Sequence, residues 1–265
     1  FFIEKAPDAM NKARYSALRE RSIGLGCMGL DSLFQSRMIP FESVTAKILN
    51  KKIFKDMREQ ADKVSKKLAI ERGSCLDASE SGYEERFSYK LAIAPTASIS
   101  IICGGTSPGI EKIYANIFTH KTLSGNFSVR NKYLEKILEE KGINNQIVWN
   151  KILANEGSAQ DIEELSPLEK DVVKTAFEVD PRWVLELAED RSPYICQSTS
   201  LNLFLPSTIN KYDLHMIHYS CWKKKIKSLY YLRSKSIQRA AFIDGSKIEQ
   251  EKEETIKYIE CLSCQ

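Results

Sequence analysis

Four groups of residues in this chain could do chemistry. The first is Leu91 to Gly109, LAIAPTASISIICGGTSPG, where an apolar run of strand length breaks at Pro95. Proline closes a strand because it cannot donate to a ladder. Thr96, Ala97, Ser98, Ile99 and Ser100 follow, small residues with hydroxyls at alternate positions. A strand end of this kind offers N–H groups and hydroxyls to a phosphate with no bulky side chain in the way. The plainer reading is a strand and an ordinary loop. The second group is Tyr230-Tyr231 within KSLYYLR. Adjacent side chains on a strand point to opposite faces, so only a bulge or a strand end would bring the two rings together. Otherwise both simply pack around a sheet. The third is Cys261-Leu262-Ser263-Cys264, a pair that suits a zinc half-site or a redox dithiol. No second CxxC completes a zinc site, and the hydrophilic sequence before the pair favours a dithiol that travels on a tether. The fourth is His215 and His218, one turn apart and one turn before Cys221. Nothing else completes a ligand set, so packing or surface roles are preferred and no metal is assigned.

The elements that must position these groups alternate between strand and helix. Residues 1–22 are charged and helix-compatible. Ile23 to Met28 reads as a short buried strand, and a helix follows from Gly29 with Leu30, Leu33 and Phe34 on one side. The Gly24-x-Gly26-x-x-Gly29 spacing matches a dinucleotide fingerprint superficially, but no acidic residue ends a second strand. Close strand–helix packing is the preferred reason for these glycines. A long amphipathic helix is expected from about Val44 to Glu71, with Ile48, Leu49, Ile53, Met57, Ala61, Val64 and Leu68 at helical spacing and a solvated lysine-rich face. Further helices are expected over Val129 to Lys141, from Asp180-Pro181 to about Arg191, and from Thr208 to Lys225. Gln197 to Leu205 alternates polar and apolar residues as a strand does, and Lys227 to Arg233 is strand-like. This order argues for a parallel α/β architecture. Four or five strands are too few to close a barrel.

Composition sets wide bounds. The 265 residues are 43% hydrophobic and 28% charged, ordinary values for a globular protein. The net charge of +4 is spread along the chain and makes no case for a nucleic-acid surface. No apolar run approaches the roughly 20 residues of a membrane span. The first residues, FFIEKAPDAM, have neither the basic flank nor the apolar core of a signal peptide. Seven cysteines without an export signal suggest a reducing, cytoplasmic setting, with thiols that are catalytic, buried or metal-bound.

Several of these segments together resemble one family. PTASIS followed by TSPGIEKIYANIFTHKTLSGNF is similar to the phosphate-binding strand and loop of the large, catalytic subunit of aerobic class I ribonucleotide reductase. SIGLGCMGL resembles an RPIGIGVQGL-type segment of that subunit, KSLYYLRS its tyrosine pair, and ECLSCQ its C-terminus. The resemblance implies that Pro95, Thr96, Ala97, Ser98 and Ile99 hold the substrate diphosphate. Ile99 departs from the pattern, which has Ser or Thr there. It implies that Tyr230 and Tyr231 relay a radical by proton-coupled electron transfer. Cys261 and Cys264 would re-reduce the active-site disulfide, both thiols being needed for exchange. The short Cys75–Tyr89 segment replaces a longer insertion in many relatives.

The same resemblance implies the C-terminal half of a ten-stranded α/β barrel, parallel strands with connecting helices, incomplete alone. Residues 1–240 would form the barrel part and 241–265 a flexible redox-active tail. No NxCxE pattern for a thiyl-forming cysteine occurs, so an N-terminal half-chain is expected to supply it. A split gene, a cleaved product or a trimmed chain would each give such a piece. The chain itself would hold no cofactor. The radical would come from a metal-containing small subunit and the reducing equivalents from thioredoxin or glutaredoxin. Ribonucleoside diphosphates are the expected substrates, and neither nucleic acid nor membrane is an expected partner. A glycine-radical reductase would need a motif absent near the C-terminus, and a cobalamin-dependent one would not need the tyrosine pair. The other class left open is a non-catalytic redox or zinc-binding interaction module.

Overall fold

Parallel hydrogen bonding links four segments that lie far apart in the chain. The computed structural model describes residues 2–122 and 125–234. Cys261, Cys264 and the expected tail over 241–265 lie outside the described residues. Leu25 bridges Leu91 and Ile93 bridges Thr199, both in parallel. The amide of Tyr230 then donates to the Leu201 carbonyl at 2.9 Å, ahead of the pairing of Leu203 with Leu232. The spatial order is therefore the segments near 25, 91, 199–205 and 230–234. Parallel neighbours need long crossovers, and helices supply them here.

The helices and strands in chain order are α1 (Phe2–Lys5), α2 (Asn11–Glu20), α3 (Leu30–Ser36), α4 (Val44–Arg72), α5 (Leu76–Glu80) and α6 (Ala97–Ile102). There follow β1 (Ile117–Thr122), β2 (Gly125–Arg130), α7 (Lys132–Glu140), α8 (Gln146–Ala154), α9 (Pro167–Val172) and α10 (Pro181–Arg191). The last are β3 (Leu203–Leu205), α11 (Lys211–Lys223) and β4 (Leu232–Ser234). The parallel α/β expectation holds. Among the described residues a parallel ladder of strand length forms only between β3 and β4, however, and no sheet closes. The expected strand Ile23–Met28 is a single bridge with Ile23 and Leu25 exposed, because no further strand covers its outer side among the described residues. The expected strand Gln197–Leu205 is likewise a bridge at Thr199 followed by the three-residue β3. Leu201, Leu203 and Leu205 are buried as expected, but so are the polar Ser200 and Asn202, so the alternation does not extend to burial.

Helix α4 starts where Ser43 Oγ accepts from the Ala46 amide at 3.1 Å, and Gly73 follows its last residue. Its buried residues are Ala46, Asn50, Phe54, Ser65 and Ala69, spaced mostly by four. The expected apolar stripe is displaced: Ile48 is 65% exposed and Val64 49% exposed, while Leu49, Ile53, Met57 and Ala61 lean on the core. Two polar residues take core-facing places because each has partners there. Asn50 Nδ2 donates to the Leu187 carbonyl at 2.9 Å, and Ser65 Oγ accepts from the Arg86 amide at 3.1 Å. Asp180 caps α10 by accepting from the Arg182 amide at 2.9 Å, with Pro181 at the first helical position.

A second apolar cluster joins Ile117 to Leu134, Leu138, Trp149, Ile152 and Val172. It supports the antiparallel hairpin β1–β2, in which Phe118 pairs with Val129. The helix expected from Val129 thus begins only at Lys132, where Asn131 Oδ1 accepts from the Tyr133 amide at 3.1 Å. In the Gly24–Gly29 stretch, a Cβ on Gly26 would stand 2.3 Å from the Ala92 carbonyl oxygen, and one on Gly29 would stand 2.5 Å from Thr106 Oγ1. Packing accounts for these glycines, but against a neighbouring segment and a loop rather than of strand on helix. On α11, His215 and His218 are exposed and Cys221 is buried. No helix among the described residues is long and apolar enough to cross a membrane.

Candidate functional site

Thr96 is the pivot of the hydroxyl-rich stretch. Its φ of 54° is left-handed, and it caps α6. Such a backbone costs a non-glycine residue of order 1–3 kcal/mol and persists only where its surroundings hold it. The anchor is the Gly109 amide, which donates to Thr96 Oγ1 at 2.8 Å. The expected open turn is therefore the first turn of a six-residue helix. The amides of Ala97, Ser98 and Ile99 have no hydrogen-bond partner among the described residues, and all three residues are exposed. No acidic residue stands in that first turn. Ser100 differs from the expectation: it is buried and its Oγ donates to the Ala97 carbonyl at 2.9 Å, so its hydroxyl is spent within the helix. Half-buried Pro95, Thr96 Oγ1 and the Ser98 hydroxyl complete a surface that can receive an anion.

Helix α3 fixes the loop opposite. Ser107 and Ser32 exchange hydrogen bonds, Ser107 N to Ser32 Oγ at 2.8 Å and Ser32 N to Ser107 Oγ at 3.1 Å. The Gly29 amide donates to the Ser107 carbonyl at 2.8 Å. Gly109 has a φ of 48°, and a Cβ there would stand 3.0 Å from the Ala94 carbonyl oxygen. Only glycine suits that combination of left-handed backbone and close approach.

Two residues further on, Glu111 reaches the tyrosines. Its Oε1 accepts from Asn202 Nδ2 at 2.5 Å, and Asn202 Oδ1 accepts from the Tyr231 amide at 2.9 Å. The Tyr231 carbonyl in turn accepts from the Leu203 amide at 2.9 Å. The pair sits just before β4 rather than within a strand, and its ring centroids are 4.1 Å apart at 53°. Tyr230 is 49% exposed. The Arg233 guanidinium lies 5.6 Å from the Tyr231 ring centroid, inside cation–π range. Burial raises the Glu111 carboxyl from the ordinary 4.5 to about 7, against the pull of Arg233 and the Asn202 hydrogen bond.

Gly109, Glu111, Asn202 and Arg233 carry this arrangement and had no expected role. A signal for one was present: Asn202 is a polar residue between Leu201 and Leu203 in the alternating stretch, and it is buried. Buried amides require partners. The described cysteines play other parts. Cys196 Sγ accepts from the amides of Lys90 and Leu91 at 3.0 and 3.1 Å, and burial pushes the thiols of Cys27 and Cys221 up. Raised thiols make poor nucleophiles. No group of three or more His, Cys, Asp or Glu able to hold a metal occurs among the described residues.

Parallel segments joined by helices, with a hydroxyl-rich turn where one segment ends, are the architecture of part of an α/β barrel. The family model described as "Ribonucleotide reductase, barrel domain" matches residues 2–86 and 77–232 in two overlapping stretches, and the chain belongs to that family. It is 46% identical over 251 residues to the ribonucleoside-diphosphate reductase large subunit of Invertebrate iridescent virus 6, covering 92% of this chain and 26% of that one. It is 38% identical over 267 residues to a putative large subunit of Frog virus 3, covering 100% of this chain and 46% of that one. Among solved structures, the class Id ribonucleotide reductase alpha subunit of Actinobacillus ureae superposes with a TM-score of 0.82 at 34% identity, over 91% of this chain and 44% of that one. The chain thus spans less than half the length of each of these relatives.

Proposed function

We propose that this chain supplies the substrate-phosphate turn and the tyrosine relay of a ribonucleoside-diphosphate reductase large subunit. The observation that carries the reading is the short connection between the two parts: Gly109 hydrogen-bonds Thr96, and Glu111 reaches the Tyr231 amide through Asn202. A diphosphate received by the amides of Ala97, Ser98 and Ile99 and the hydroxyls of Thr96 and Ser98 would be fixed relative to the relay through one continuous loop. Ile99 can offer its amide but no hydroxyl.

Adjacent phenols suit radical transfer because the loss of an electron and of a proton are coupled at one O–H. In this reading Tyr230 and Tyr231 pass the oxidising equivalent from a metal-containing small subunit to a cysteine in the remainder of the large subunit. That remainder would be joined to this chain by peptide bonds or associated with it. Cys261 and Cys264 would return electrons to the active-site disulfide, with thioredoxin or glutaredoxin as their reductant. The finer barrel of ten strands belongs to the same proposal, since the remainder would complete the parallel array and cover its edge.

The test is reconstitution. The chain, combined with the rest of a large subunit and its small subunit, is expected to reduce ribonucleoside diphosphates with thioredoxin as reductant. An assembled complex without turnover, in which Cys261 and Cys264 bind zinc, would replace this reading with that of a non-catalytic module.

A further inference from the structure

Glu111 is half-buried and stands between two groups that both touch Tyr231. On one side its carboxylate takes the Asn202 amide, whose oxygen accepts from the Tyr231 backbone N–H. On the other it lies within electrostatic reach of Arg233, whose guanidinium faces the Tyr231 ring. The Arg233 Nε is buried with no hydrogen-bond partner among the described residues. We infer that Glu111 is a positioning residue for Tyr231, fixing its backbone through Asn202 and offsetting the charge of Arg233 above its ring. The role in turnover rests on the relay reading; the electrostatic coupling stands apart from it.

The physical reason lies in the sign of the charges. A guanidinium near the face of a neutral ring is held by the ring quadrupole. The same charge opposes loss of an electron from that ring and favours loss of the phenolic proton to give a phenolate. A relay residue exposed to an uncompensated cation would be hard to oxidise. Glu111, once ionised as pH rises through about 7, acts on that cation and removes the bias while leaving the guanidinium in place to hold the ring. The single contact through Asn202 ties this compensation to the position of the tyrosine backbone, so charge and geometry are set together.

The experiment installs a fluorotyrosine at position 231 of the full chain and titrates its phenol by fluorine NMR. Glu111→Gln is expected to lower the phenol pKa by about one unit, because Arg233 is then unopposed. Arg233→Gln alone is expected to raise it, and the double variant to bring it back toward the parent value. Glu111→Asp, which keeps the charge, is expected to shift it little. In the assembled reductase, Glu111→Gln is expected to lower kcat about tenfold with KM for the diphosphate unchanged. An unshifted titration in Glu111→Gln, or a double variant that fails to return, would overturn the coupling. A shifted titration with kcat intact would overturn the role in the relay. If Tyr231→Phe also turns over normally, the fault lies with the relay reading itself.

Discussion

The rings of Tyr230 and Tyr231 lie 4.1 Å apart although the two residues are sequence neighbours. Extended backbone would send them to opposite faces. They meet because they precede β4, where the Tyr231 amide turns to Asn202 Oδ1 while the Tyr230 amide pairs with the Leu201 carbonyl. The contact between the rings is thus built by the neighbouring segment. That segment reaches, through Glu111 and Gly109, to the turn at Thr96.

Gly109→Ala should separate the turn from its anchor. A left-handed backbone costs an alanine about 1–2 kcal/mol. The new Cβ would also meet the Ala94 carbonyl at 3.0 Å. The expected outcome is a stability loss of about 1–2 kcal/mol by urea denaturation, with a raised KM for the diphosphate substrate in the assembled enzyme.

The loop also depends on a buried ion pair. Lys112 Nζ lies 2.9 Å from Asp31 Oδ1, and Asp31 Oδ2 accepts from the Ile113 amide and from Gln35 Nε2. Removing one partner strands the other charge in the interior, a loss of about 3–5 kcal/mol. Asp31→Ala is therefore expected to lower the urea midpoint far more than removal of an exposed pair such as Lys136–Glu140. Exposed pairs contribute at most about 1 kcal/mol.

Glu111 makes stability depend on pH in a direction opposite to most carboxylates. Its folded value is raised from 4.5 to about 7 by burial. A carboxyl that holds its proton more tightly when folded contributes stability below its unfolded value, and that contribution is lost as pH rises through the folded value. At about 1.4 kcal/mol per unit, the loss is at most about 3.5 kcal/mol. Relative to Glu111→Gln, the parent chain should become less stable between pH 4.5 and 7 and level off above it. Denaturation midpoints of both proteins across that window measure the difference.

The elements legible in the sequence were those whose local chemistry and packing agree. Helix α10 begins at Asp180-Pro181 and ends at Arg191 as its cap and periodicity indicate, and α4 runs over nearly its expected length. The buried face of α4 was not legible, because Asn50 and Ser65 are core-facing only by virtue of partners on α10 and at Arg86 and Phe87. The start of α7 was obscured because Val129 has the composition of either element, and pairing with Phe118 decided for the hairpin. At the site, the small residues of the hydroxyl-rich turn and the tyrosine pair stand out by type. Glu111, Asn202 and Arg233 do not, since their roles arise only when segments 91 and 122 residues apart from Glu111 are brought together.

The most direct measurement is ribonucleoside-diphosphate reduction by the reconstituted large subunit carrying Tyr230→Phe or Tyr231→Phe, with substrate binding followed in parallel. Removing either phenolic O–H leaves the ring and its packing but nothing to lose a coupled electron and proton. The account predicts turnover at background in both variants with diphosphate affinity retained. Turnover at the parent rate in either variant would contradict it.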